Sequence, residues 1–227
     1  MGCIMSNVHL GIPGFEAIIF DFDGVIVDSE SHWDKLENPY IKDHTTGWHD
    51  TDYSQLTGMG LAEIYKLLVA KYDFPFSRQK YFDDYDKMAL TLYGSVAQPV
   101  GDIGLFLDFL TTQDIKVAIA SSSKPSWIDI ALKRFNLDSY FSTIVSSHDK
   151  DIANGKPAPD VYLKAANKLI VSTGRTIAIE DSTNGVRSAK SAGIFCVGLD
   201  INGENSQDLS HADLTVKSYQ ALIEILR

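Results

Sequence analysis

The stretch Phe15-Glu16-Ala17-Ile18-Ile19-Phe20-Asp21-Phe22-Asp23-Gly24 decides how the rest of the chain is read. Residues 15–20 are a short apolar run that stops at an aspartate, the pattern of a strand buried on both faces. Side chains at i and i+2 of an extended chain point to the same side. Asp21 and Asp23 therefore crowd two carboxylates together, and these repel unless a cation or a shared proton intervenes. At the C-terminal end of a strand they face the crevice in which open α/β sheets bind ligands. A hard divalent ion with oxygen ligands relieves the repulsion, and Gly24 permits a sharp turn. For these residues alone, a polar turn with an Asp cap is the plainer reading.

Similar apolar runs recur at 115–120, 143–146, 176–179 and 195–199. Between them lie helical stripes spaced i, i+3, i+4, i+7: Ile128, Ala131, Leu132, Phe135; Tyr162, Ala165, Ala166, Leu169; and Tyr219, Leu222, Ile223, Leu226. Strands alternating with helices of this length predict βαβ units and a doubly wound parallel α/β sheet. Residues 29–97 break the rhythm. They carry aromatic and helical stripes (Leu61, Ile64, Leu67, Leu68; Tyr81, Tyr85, Met88, Leu92) and no convincing strand. The expectation is an α/β core from 1–28 and 98–227 and an all-helical insert over 29–97, hinged at 27–29 and 97–101.

Three further motifs follow predicted strands. Ser121-Ser122-Ser123-Lys124 offers hydroxyls and backbone N–H groups at a strand-to-helix turn, suited to an anion. The plainer reading is a helix N-cap. In Asn154-Gly155-Lys156-Pro157-Ala158-Pro159-Asp160, two prolines stiffen a loop that can aim Lys156 with little loss of entropy. Asp149–Gly155 lacks the acidic spacing of a calcium loop. Glu180-Asp181-Ser182 ends the run 176–179, where adjacent acids suit a metal, although Asp181 alone would also serve as a helix cap. Taken together, acids, hydroxyls and one lysine on a single sheet edge assemble a metal–phosphate site.

The formal net charge of -10 repels phosphate backbones and anionic lipid, so nucleic acid and membrane are not expected partners. A phosphorylated ligand is repelled too, and needs a local cation. Two cysteines, Cys3 and Cys196, do not make a disulfide framework, which favours a reducing cytoplasmic setting. No apolar run reaches membrane-spanning length, and no signal peptide is apparent. Met1–Ser6 fits the loose N-myristoylation pattern, with Cys3 as a palmitoyl candidate, but no basic patch follows.

The order Asp21-Phe22-Asp23-Gly24-Val25, Ser121, Lys156-Pro157-Ala158-Pro159-Asp160 and Glu180-Asp181-Ser182 resembles the haloacid dehalogenase superfamily. The helical insert after the first motif resembles its beta-phosphoglucomutase and phosphoglycolate phosphatase branch, in which the insert is a cap. The resemblance spans about residue 15 to 227. It implies an enzyme in which Asp21 is the nucleophile and forms an aspartyl-phosphate. Asp23 would protonate the leaving oxygen and then activate water. Ser121, with Ser122 beside it, would bind a phosphoryl oxygen, and Lys156 would neutralise charge. Magnesium (Mg2+) would be held by Asp21, the Asp23 carbonyl and Asp181, with Glu180 in or just behind the ligand sphere. The second aspartate marks phosphatases and phosphomutases rather than dehalogenases.

The sequence departs from the phosphoglucomutase branch at two cap positions. Trp33 stands where that branch carries a His, and Leu61 where it carries an Arg. Lys66, Lys71 and Arg78 are substitutes for that Arg only if the fold brings them to the site. Among His32, Trp33, His44, Trp48 and His49, Trp33 is the preferred substrate contact. The expected activity is hydrolysis of a small phosphorylated metabolite by a monomer or weak oligomer. A phosphosugar mutase is the alternative, and a non-catalytic binding module on the same fold is the reading of another class.

Overall fold

The computed structural model describes residues 14–56, 59–203 and 207–227. The start Met1–Ser6, with Cys3, lies outside them, as do Thr57 and Gly58 just before Leu61. The chain divides into two compact units, one of residues 1–27 and 99–227, the other Asp28–Gln98.

The larger unit is a six-stranded parallel sheet. Its strands are β1 (Ala17–Phe20), β4 (Lys116–Ser121), β5 (Thr143–Ser146), β6 (Thr176–Glu180), β7 (Phe195–Leu199) and β8 (Leu214–Val216), in the spatial order β5-β4-β1-β6-β7-β8. Strand order reverses beside β1, which makes the C-terminal end of β1 the switch point where such sheets bind ligands. The expected doubly wound α/β core with a helical insert is the observed fold class. The sequence pattern had not indicated β8, a three-residue edge strand with an exposed threonine at its centre.

Flanking helices are α4 (Ile103–Thr112), α5 (Pro125–Phe135), α6 (Asp160–Leu169), α7 (Thr183–Ser191) and α8 (Tyr219–Leu226). The face of β1 that presents Ala17 and Ile19 packs with Ala118, Ala120, Ala165, Ala166, Ala178 and Ala189, all buried. So many small side chains let α6 and α7 lie close to the sheet. The opposite face presents larger groups. Phe20 makes edge-to-face contacts with Phe106 of α4 and with Phe141, and Phe106 stacks on Tyr219 of α8. The Tyr219 hydroxyl donates to the Val25 carbonyl at 2.7 Å, which ties α8 to the turn after β1.

The smaller unit contains α1 (Glu30–His44), α2 (Leu61–Lys71) and α3 (Arg78–Thr91), with a 3-10 turn at Asp50–Leu56 and a π-helical turn at Leu92–Val96. Its core is aromatic, built on Tyr72, Phe74, Tyr81, Tyr85 and Tyr93 with Trp48. Glu37 is buried among them, and its carboxylate accepts from the hydroxyls of Tyr53 (2.6 Å) and Tyr85. Burial pushes the Glu37 carboxyl above its ordinary value, against the two phenol hydrogen bonds. The chain enters and leaves this unit through β2 (Val27–Asp28) and β3 (Gln98–Pro99), which pair with each other.

The small-residue face of the larger unit predicts intolerance to added volume. Ala165→Leu forces methylenes into a filled layer and is expected to lower unfolding stability by about 1–3 kcal/mol. Urea denaturation checks this, and an unchanged midpoint would mean that α6 has room to move outward.

Candidate active site

The strand β1 ends at Phe20, and the backbone N–H of Asp21 still donates to the Ile179 carbonyl of β6 (2.9 Å). The pairing Phe20↔Ile179 therefore places Asp21 beside Glu180. A tight turn follows: Gly24 N–H donates to the Val27 carbonyl (2.8 Å), and Val27 N–H to the Phe22 carbonyl (3.1 Å). Gly24 sits at φ +74°, a conformation that side chains disfavour. A Cβ there would lie 1.8 Å from Asp181 Oδ2, so only glycine lets the turn pass over that carboxylate.

Lys156 comes from the loop before α6. Its ammonium lies 2.8 Å from Asp21 Oδ1 and 2.5 Å from Glu180 Oε1, with its side chain nearly inaccessible. Oxygens of Asp21, Glu180 and Asp181 all lie within 4.8 Å of one another, and all three residues are buried. The structure thus brings Asp21, Lys156, Glu180 and Asp181 to one place. Asp23 is half-buried, and its Oδ2 accepts from the Ser123 hydroxyl at 2.5 Å.

Ser121, at the end of β4, is fully buried, and its Oγ accepts from the Ser123 N–H at 2.9 Å. Ser122 is exposed, and its carbonyl accepts from the Ser147 hydroxyl. The plainer readings of two motifs fail here. The N-cap of α5 is Lys124, with no side-chain cap hydrogen bond, so the serines do not cap that helix. The N-cap of α7 is Ser182, which accepts from the Gly185 N–H, so Asp181 is released from capping.

In the smaller unit, the Trp33 indole N–H donates to the Tyr93 hydroxyl (3.4 Å), and its ring stacks near Tyr85. Trp48 is buried and donates to Asn38; His44 packs between Tyr40 and Phe76. His32 is half-buried and His49 exposed. Leu61 opens α2 half-buried. Lys66 is exposed, the Lys71 ammonium lies over Tyr72, and the Arg78 guanidinium over Phe82.

The haloacid dehalogenase-like hydrolase family model matches residues 18–199. The chain belongs to that family. Among relatives of this hydrolase, beta-phosphoglucomutase of Bacillus subtilis is 30% identical over 93% of each chain. The phosphorylated carbohydrates phosphatase of Thermotoga maritima is 28% identical over 79% of this chain and 82% of its own. The fold matches CbbY of Rhodobacter sphaeroides, solved in complex with phosphate, with a TM-score of 0.78, 24% identity and coverage of 92% and 96%. This hydrolase is an enzyme acting on phosphoesters, by hydrolysis or by phosphoryl transfer, and the binding-module reading falls away.

Two residues of the hydrolase site escaped the sequence pattern. Tyr162 belongs to the apolar stripe of α6, yet its hydroxyl donates to Glu180 Oε1 at 2.6 Å and its ring lies 5.2 Å from the Lys156 ammonium. Glu180 is fully buried, with Oε1 taken by Lys156 and Tyr162 and Oε2 accepting from Ser182 (3.2 Å). A Cβ at Gly185 would lie 1.9 Å from Glu180 Oε2, so α7 can approach this carboxylate only at a glycine. Ser123 is the second residue, hidden in a run of three serines.

Burial drives the Glu180 carboxyl up to about 7, and the Asp21 charge adds to the rise against Lys156 and Tyr162. Burial alone would lower the Lys156 ammonium; the Asp21 and Glu180 carboxylates outweigh it and hold it well above its ordinary value. One ammonium, paired with Asp21 and Glu180, is thus set against a group of three buried carboxylates. That surplus of negative oxygen fits a hard dication.

The buried lysine carries a stability consequence. Lys156→Met removes the cation and leaves Asp21 and Glu180 uncompensated, which is expected to destabilise the fold by about 3–5 kcal/mol without added metal. Chemical denaturation in chelator measures it; a loss below about 1 kcal/mol would show that the carboxylates are relieved in some other way.

Proposed function

We propose that this enzyme is a magnesium-dependent phosphatase of small phosphomonoesters, sugar phosphates among them, acting through an aspartyl-phosphate on Asp21.

 The observation that carries this reading is the placement of Asp21: 2.8 Å from the Lys156 ammonium and inside a buried group of carboxylates, at the switch point of the sheet. A carboxylate is already ionised at neutral pH, so it needs no base to act as a nucleophile. Its difficulty is approach to an anionic phosphoryl group, which local positive charge must offset.

Asp21 and Asp181 are the residues we assign to magnesium, with the Asp23 backbone carbonyl completing the protein ligands. Glu180 stands just behind them as the anchor of Lys156. When bound, magnesium supplies a Lewis acid that neutralises charge on the carboxylates and the phosphoryl oxygens. In the first half-reaction an Asp21 oxygen bonds to phosphorus as the ester P–O bond breaks, and Asp23 gives its proton to the departing oxygen. In the second, Asp23 takes a proton from water, which displaces Asp21 and releases inorganic phosphate. Lys156 holds charge on Asp21 and on the transferring group, and the Ser121 hydroxyl with the adjacent backbone N–H groups receives phosphoryl oxygens. In the smaller unit, acting as a cap, Trp33 is the residue we assign to substrate contact.

The 30% identity to beta-phosphoglucomutase favours a second reading, a phosphosugar mutase. A mutase must hold a second phosphate while its intermediate turns over, and a cationic cap residue does that. Leu61 occupies the position at which the branch resembled here carries that cation, which favours hydrolysis.

A panel of phosphorylated metabolites, assayed for inorganic phosphate with magnesium and with chelator, tests the proposal. The expected outcome is phosphate release that requires magnesium and falls at least about 10³-fold in Asp21→Asn. Turnover that survives Asp21→Asn would sink the nucleophile. Stimulation by a sugar bisphosphate, with isomerised sugar phosphate as the product, would establish the mutase instead.

A further inference from the structure

Three serines crowd the ends of β4 and β5, and they hold one another in a fixed arrangement. The Ser123 N–H donates to Ser121 Oγ at 2.9 Å, and the Ser123 carbonyl accepts from the Ser146 hydroxyl at 2.7 Å. Ser121 and Ser146 are paired across the two strands and fully buried. The backbone of Ser123 is thereby clamped on both sides, and only its hydroxyl is left to turn. That hydroxyl donates to Asp23 Oδ2 at 2.5 Å.

We infer that Ser123 is a positioning residue for the acid–base carboxylate, fixing the orientation of Asp23 through the hydrogen bond to Oδ2. The inference rests on the reading of Asp23 as that acid–base group. As the P–O bond breaks and the Asp21–phosphorus bond forms, the Asp23 proton moves to the departing oxygen, giving the alcohol and the Asp23 carboxylate. The Ser123 hydrogen bond strengthens as negative charge grows on Asp23, since bonds to ionised acceptors are the stronger ones. An interaction stronger in the transition state than in the ground state accelerates the step.

The gain depends on how much the leaving group needs a proton. Phenolate leaves phosphorus poorly without one, whereas p-nitrophenolate leaves largely unaided. The test compares kcat/KM for phenyl phosphate and p-nitrophenyl phosphate in the wild-type protein, Ser123→Ala, Ser123→Thr and Asp23→Asn. Ser123→Ala is expected to lower the phenyl to p-nitrophenyl ratio about tenfold, and Ser123→Thr, which keeps the hydroxyl, to restore most of it. Asp23→Asn is expected to lower the ratio further, by about 10²-fold or more. Thermal melting establishes that each variant is folded. Should Ser123→Ala not fold, Ser123→Cys carries the same comparison with a weak donor of similar size.

A selective Asp23→Asn with an equal loss of both substrates in the Ser123 variants, or with no loss, overturns the role of Ser123 and leaves the acid in place. Equal loss would mark a contact to the phosphoryl group or a purely structural role. An Asp23→Asn variant without selectivity removes the acid itself, and the inference about Ser123 falls with it.

Discussion

The Lys156 ammonium, shut among carboxylates, is the contact on which the rest of the site depends. A charge taken out of water costs several kcal/mol, and only close partners offset that cost. Here the partners arrive from separate segments: Asp21 from the end of β1, Glu180 from the end of β6, and Lys156 itself from the loop before α6. Each can reach the others only if β1 and β6 keep the register Phe20↔Ile179. A slip of one residue would turn Asp21 to the other side of the sheet and leave two charges stranded. The glycines at 24 and 185 serve the same requirement, since a Cβ at either would collide with a carboxylate of the group.

Around that charge, two aspartates two residues apart have acquired different company. Asp21 lies against an ammonium and two further carboxylates, whereas Asp23 is half-buried and bonded to a neutral hydroxyl. Distinct surroundings are how paired carboxylates come to hold distinct roles. The division follows from topology: β6 delivers acids to the side of Asp21, and β4 delivers serines to the side of Asp23.

How far the sequence foretold this follows from how each element is buried. The central strands β1, β4 and β6 are almost wholly enclosed, so they read as continuous apolar runs and were legible. Edge strand β8 is three residues long and half solvated, and no period emerges from so little chain. Charged groups at strand ends stood out because four motifs, each with a plainer reading of its own, fell together on one edge of the sheet. Tyr162 did not, because a tyrosine fits an apolar helical stripe by its ring while its hydroxyl reaches Glu180. Among Ser121, Ser122 and Ser123, composition gives no reason to prefer one hydroxyl; the pairing of β4 with β5 makes the choice. Glu37 was lost among the polar residues of α1 because its phenol partners, Tyr53 and Tyr85, lie far along the chain.

The protein carries a formal net charge of -10, and its site adds three buried carboxylates against one ammonium. A phosphoryl dianion is therefore repelled both at long range and at the point of reaction. Lys156 alone does not reverse this, because its single charge also offsets Asp21 and Glu180. More lysines on the surface would ease approach but would be screened by salt and would not reach the reacting oxygens. The dication proposed for Asp21 and Asp181 would meet both needs, relieving the carboxylates before substrate arrives and supplying positive charge for the phosphoryl oxygens. On this reading the acidic surface does not count against a phosphorylated substrate; it explains why the positive charge must be concentrated at the end of β1.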